Sequence, residues 1–255
     1  RDQRRLLSGT DWPPSAAAGP IGSAVSTLDI LGDGSCVSCL TMETGTDLNS
    51  NNSISYVAGG ITSTQSKYGS NSMLIDNGEG SKHIAVNQLD LSSNGGSYSI
   101  SAWFRLKGLR TSGIQPVLMM IDSVDNDGRG AITVATSALA PNSSDRRYGK
   151  GRSNAVSLDT GGSGYDSGVD ISQDQWYHGL HVYDHVADTY TMYLDNVSVK
   201  VVSSASSNGA QPPDLNNSSD VDVLVGHEPD SFDPFGTFDG GQSLWGYVDQ
   251  VRIFD

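Results

Sequence analysis

Residues 176–199 read WYHGLHVYDHVADTYTMYLDNVSV, and the alternation within them settles the class of fold. Trp176, His178, Leu180 and Val182 fall on one face of a strand, and Tyr177, His181 and Tyr183 on the other. After a short polar turn, Tyr190, Met192 and Leu194 alternate with Thr191, Tyr193 and Asp195. A period of two is the side-chain repeat of an extended chain, whereas a helix repeats every 3.6 residues. The stretch therefore reads as two half-buried antiparallel strands. Asp195-Asn196, set between apolar alternations, marks a tight hairpin into a third.

The same reading extends outward in both directions. Strand patterns occur at Cys36–Met42, Ser53–Val57, Ser72–Ile75, His83–Val86, Tyr98–Leu106, Val117–Asp122, Ala131–Thr136 and Ala155–Leu158, and again at Val197–Val202, Val221–Val225 and Leu244–Phe254. Clusters of Gly, Asn, Asp and Pro separate them, and no helical period persists beyond two turns. Many short strands divided by turn residues predict an all-β sandwich. The polar stretches 142–154, 159–170 and 203–220 are expected as loops. Residues 1–35 differ: RDQRRLL precedes a Pro/Ala/Gly-rich run, so they are expected to form an extended N-terminal arm, with the sandwich domain at 36–255.

Four segments carry a resemblance. The run W-x-H-x-x-x-x-Y-D followed by Y-L-D-N-x-x-V, within 176–199, is similar to the central signature of the laminin-G-like/pentraxin group of concanavalin A-like jelly rolls. Tyr98–Leu106 (YSISAWFRL) resembles that group's tryptophan strand, Leu244–Phe254 (LWGYVDQVRIF) its closing strand, and Lys67–Asp76 (KYGSNSMLID) a strand near its start. The matches run in family order. They imply a laminin-G-like jelly-roll β-sandwich, a fold that serves lectins, adhesins, fibre proteins and some glycosidases. The resemblance further implies a structural Ca2+ tying the first strands to the last. Its ligands would be Asp249 on the closing strand, Glu43 (or Asp47) after the first strand, and oxygens near Asp76 or Gly69.

Composition narrows the function classes. The net charge is −14, and the acidic residues are 26 Asp against only Glu43, Glu79 and Glu228. Aspartate suits turns and hard cations. The 15 Lys and Arg are scattered without a basic stripe, which argues against nucleic acid. No run of about 18 apolar residues is present to span a membrane. The chain starts at Arg1 without a signal-peptide core, which reads as a processed product. Glycoside hydrolysis needs two carboxylates bracketing the sugar bond. The family-16 pattern E-x-D-x-x-E is absent, and the only closely spaced Asp pair on a strand pattern is Asp220/Asp222, so no enzyme is expected.

Several residues remain as binding candidates. Exposed aromatics beside Asp or Asn suit sugar faces or a protein partner: Tyr165-Asp166, Tyr148, and the spaced run Phe232, Phe235 and Phe238. His178, His181 and His185 cluster in sequence, with His178 expected in the core or a cleft wall. The acidic run Asp122–Gly128 resembles the start of an EF-hand but lacks its closing Glu, and reads as a turn between strands. Asn-x-Ser sequons stand at Asn51, Asn142, Asn196, Asn216 and Asn217. The two cysteines, Cys36 and Cys39, have no second pair for zinc. In a regular strand they would lie about 10 Å apart on opposite faces. They are separate thiols, bond another chain, or form a local disulfide if a turn joins them; the last suits an extracellular setting.

The leading expectation is a non-enzymatic extracellular structural or adhesive subunit on a cell or virion surface. Its arm and loops would contact copies of itself or other surface proteins. The alternative is a Ca2+-dependent carbohydrate-binding module.

Overall fold

A computed structural model describes residues 36–43, 53–57, 60–76, 83–89, 91, 96–108, 114–122, 127–136, 146–148, 167, 169–203, 221–227 and 243–254. The arm at 1–35 and the expected strand at Ala155–Leu158 lie outside these residues. In chain order the strands are β1 (Cys36–Leu40), β2 (Ser53–Val57), β3 (Gly60–Thr62), β4 (Ser72–Ile75), β5 (His83–Leu89), β6 (Tyr98–Leu106) and β7 (Ile114–Asp122). They continue as β8 (Asp127–Thr136), β9 (Arg146–Tyr148), β10 (Trp176–Asp184), β11 (Thr189–Leu194), β12 (Val197–Ser203), β13 (Val221–Val225) and β14 (Gly246–Phe254).

They build two antiparallel sheets. The eight-stranded sheet runs β12-β11-β10-β6-β14-β4-β3, with β1 also beside β14, and the six-stranded sheet runs β2-β5-β13-β7-β8-β9. The expected all-β jelly-roll sandwich is the observed architecture. β7 and β8, joined across the Asp122–Gly128 run, are neighbours that pair as far as Asp122 opposite Asp127. One expectation fails: within the supposed loop 142–154, Arg146–Tyr148 form β9 against Val134–Thr136. Three residues at a sheet border hold too little pattern for periodicity to detect.

The core lies between the sheets. Ile100, Ala102, Phe104 and Leu106 of β6 meet Val248, Val251 and Ile253 of β14 and, across the sandwich, Ile84 and Val86 of β5 and Val223 and Val225 of β13. On β10 the core face is Tyr177, His181 and Tyr183; Trp176, His178, Leu180 and Val182 are only half-buried on the outer face. His178 is therefore not a core residue. His181 is, and its Nδ1 pairs with the Tyr190 hydroxyl at 2.7 Å, so two buried polar groups serve one another.

The hairpin between β11 and β12 is a two-residue turn. Asp195 and Asn196 both have positive φ (48° and 67°), and Leu194 pairs with Val197 across it. Positive φ at both central positions is the primed turn that matches the twist of paired strands. Asp195 also accepts the His178 amide on Oδ1 at 2.8 Å, which joins the turn to β10. Asn196→Gly relieves a left-handed side chain without touching that bond. It is expected to raise stability by about 0.5–1 kcal/mol, seen as a melting increase of roughly 1–4 °C by calorimetry.

Candidate functional site

The site grows from an irregularity in β14. Asp249 pairs with Trp103 of β6, but the next pairing is Arg252 with Ser101, so β14 carries one extra residue. Gln250 absorbs it, with φ of 51° in the middle of the strand. Such a bulge turns the alternation by one position. Val248 and Val251 both reach the core, and Asp249 is sent to the opposite face, where it is nonetheless fully buried. The Gln250 side chain is fixed at both ends: Nε2 donates to the Thr41 carbonyl at 3.2 Å, and Oε1 accepts from Arg252 at 2.8 Å.

What buries Asp249 is the segment entering β4. Its Oδ2 accepts the backbone amides of Lys67 at 2.8 Å and Tyr68 at 3.0 Å. Glu43, just beyond β1, accepts the next amides on Oε1, from Ser70 at 2.8 Å and Asn71 at 3.1 Å. The Asn71 side chain returns a bond to the Glu43 carbonyl at 3.2 Å. Two carboxylates, one from each end of the domain body, thus clamp the single segment 67–71. Gly69 between them has φ of 64°, and a Cβ there would overlap the Glu43 carboxylate, so the passage admits only glycine.

The electrostatics of the clamp are strained. Asp249 Oδ1 is buried without a hydrogen-bond partner. Burial pushes the Asp249 carboxyl up to about 6; the amides of Tyr68, Lys67 and Gln250 oppose that rise, and the Glu43 charge adds to it. Beside it, the Tyr68 ring meets Trp103 edge-on at 5.6 Å, and Trp103 lies 4.9 Å from His178. Lys67 Nζ sits 4.2 Å over the Trp103 ring, within cation–π range. Burial, then the charges of Arg252 and Lys67, press His178 down to about 4, so its imidazole is neutral at physiological pH. Tyr68 is raised, chiefly by burial, and burial lowers Arg252.

Of the three metal candidates, Asp249 and Glu43 are brought to one segment and Asp76 is not. Asp76 follows the far end of β4, where Oδ1 accepts from the Trp245 indole at 3.1 Å and Oδ2 from Lys107 at 3.0 Å. Cys36 and Cys39 form a disulfide. The spacing objection is resolved by a register shift between Cys36 and Ser38 that bends β1 locally. His178 and His181 lie on opposite faces of β10, and the described residues hold no group of three metal-binding side chains of the His, Cys, Asp and Glu kind. Tyr148 ends β9, and Asn196 is exposed at the hairpin turn. Tyr165, Asp166, Phe232, Phe235, Phe238, Asp47, Asn51, Asn142, Asn216 and Asn217 lie outside the described residues.

A family model described as Laminin_G_3, concanavalin A-like lectin/glucanases superfamily, matches residues 77–255. The chain belongs to this superfamily. The clamp of Asp249 on Lys67 and Tyr68 thus joins the body of the Laminin_G_3 match to residues that precede it. No curated protein matches the sequence. Among solved structures, the chain is similar to domain 4 of AbnA, a GH43 extracellular arabinanase from Geobacillus stearothermophilus solved with arabinotriose. That likeness has a TM-score of 0.55 at 17% identity and covers 86% of this chain and 92% of that one. Trypanosoma rangeli sialidase in complex with sialic acid matches with a TM-score of 0.54 at 10% identity, over 86% of this chain and 30% of the sialidase. At these identities the likeness is one of fold.

Proposed function

We propose that this domain is a non-catalytic, extracellular carbohydrate-binding module stabilised by calcium. Asp249 carries the reading. A buried carboxylate with one unpartnered oxygen, beside a second carboxylate on the same segment, offers the hard oxygen donors that Ca2+ takes. Bound calcium supplies the positive charge that these two carboxylates lack. The chain's own residues do the rest: Asp249 and Glu43 hold segment 67–71, Gly69 lets it pass, and Tyr68 is displayed 44% exposed with its edge against Trp103. A ring held rigidly at a polar rim is what stacking on a sugar face requires. Both carboxylates spend an oxygen on backbone amides, which suits holding a loop rather than proton transfer to a substrate. The Cys36–Cys39 disulfide supports an oxidising compartment. Among the described residues no helix is long and apolar enough to cross a membrane.

Arabinotriose and sialic acid, the ligands named in those two solved structures, are the first probes, followed by a glycan array. Calcium at a hundredfold its dissociation constant adds about 2.7 kcal/mol, roughly 5–10 °C of melting temperature, and chelation removes it. Tyr68→Ala is expected to weaken glycan binding tenfold or more at unchanged melting temperature. A melting temperature indifferent to thorough chelation sinks the calcium assignment, and an array without a hit sinks the carbohydrate reading. A structural or adhesive subunit built from copies of this chain is the second reading, and the exposed border of the eight-stranded sheet favours it.

A further inference from the structure

We propose that Trp176, Arg105 and Tyr247 build a second sugar subsite next to the Tyr68 ring, so that the domain grips the interior of a linear, uncharged glycan chain. This rests on the carbohydrate reading and adds to it which part of the glycan is held. The registers of β6 with β10 and β14 lay out the outer face of the eight-stranded sheet in rows. Trp103 stands between His178 and Asp249 in one row, and Arg105 between Trp176 and Tyr247 in the next. Neighbouring rows are two residues apart along each strand, about 7 Å. A chain lying against Tyr68 and Trp103 therefore reaches the second row within one or two sugars.

Arg105 is fixed from two sides. Its Nη1 donates to Gln65 Oε1, on the segment that leads to Tyr68, and its Nη2 to Asp174 Oδ1 at 2.9 Å, just before β10. Asp174 takes a left-handed backbone there (φ 62°), with its own amide on the Leu106 carbonyl at 2.8 Å, and its side chain stays 68% exposed. The guanidinium lies 6.0 Å over the Tyr247 ring, and the half-buried Trp176 ring stands 6.5 Å from the same ring. The row is thus a floor of rings and guanidinium with an amide and a carboxylate at its margins, the combination that sugar faces and hydroxyls require. Arg105 Nε is buried without a hydrogen-bond partner, and a network built for stability alone would leave no donor unmet. Charge selects the class of chain. Arg105 and Asp174 cancel one another, and the net charge of −14 repels polyanions, so an uncharged glycan fits better than a sulfated or uronic one.

Isothermal titration of the full chain with linear arabino-, xylo- and cello-oligosaccharides of two to six units reads the length dependence. In a series that binds, affinity is expected to rise roughly tenfold between two and four units and then level off. Trp176→Ala is expected to erase that rise and leave disaccharide binding as it was, whereas Tyr68→Ala weakens every length. The indole N–H resonances give the same answer without a substitution: Trp103 shifts with the disaccharide, and Trp176 only with the longer chains. Affinity independent of length, a glycan array bound solely through terminal sugars, or a Trp176 resonance that never shifts overturns the second subsite while the carbohydrate reading stands. No binding in these series or on the array overturns both.

Discussion

Asp249→Asn, unfolded in chelator at pH 7, is expected to be at least as stable as the native chain, whereas Asp249→Ala loses about 2–4 kcal/mol. The asparagine keeps an oxygen for the Lys67 and Tyr68 amides and discards a charge whose burial lifts the carboxyl to about 6. The alanine leaves two half-buried amides unsatisfied, at about 1–2 kcal/mol each. Under the proposed calcium site, saturating calcium is expected to reverse the first comparison, the native chain gaining roughly 2–3 kcal/mol and the asparagine variant nothing. Denaturant titrations of the three proteins, with and without calcium, give the full set. Equal losses for asparagine and alanine would show that the amide bonds do not anchor the segment.

The second large effect is a cancellation in pH. Asp249 is raised from 3.8 to about 6, so between those values the folded chain holds a proton that the unfolded chain has released. Its contribution to stability is present at low pH and is lost as pH rises through the folded value, by about 3 kcal/mol. His178 is lowered from 6.5 to about 4, so there the unfolded chain binds the extra proton, and stability rises by about 3 kcal/mol across that window. The two trends oppose one another at neighbouring positions. In chelator, Asp249→Asn should therefore gain about 3 kcal/mol on the native chain between pH 4 and 6. His178→Gln should lose a similar amount against it between pH 4 and 6.5. Parallel pH profiles for all three proteins would remove both shifts.

The sequence showed these features unequally, for physical reasons. Alternation in 176–199 revealed β10, β11 and the hairpin because period 2 and a left-handed Asp-Asn turn are local properties. Which face of β10 enters the core was not local. Both faces carry aromatic residues, and the choice falls on Tyr177, His181 and Tyr183 because Trp103, Tyr68 and Lys67 pack against His178's side. Asp249 and Glu43 stood out as acids at motif positions, yet their partners are backbone amides, which no side-chain pattern announces. Asp76 shares the motif spacing but is held by Lys107 and Trp245 instead. Gln250, which turns Asp249 outward, is one inserted residue in a good strand pattern. Its only sequence trace is the break in spacing between Val248 and Val251.

The pairing of β1 with β14 also bears on how the domain carries load. Cys36 lies directly opposite Phe254, and the ladder continues inward to Leu40 opposite Val251. A pull on the chain before β1 and after β14 therefore acts at one end of an antiparallel ladder. It opens the rungs one at a time, as a zipper, instead of shearing them together. As β1 peels away it takes Thr41 and Glu43 with it, stripping Gln250 and the Ser70 and Asn71 amides of their acceptors. Anchored at both ends under tension, the domain yields first at this seam, and its mechanical weak point is also the place where the clamp is assembled.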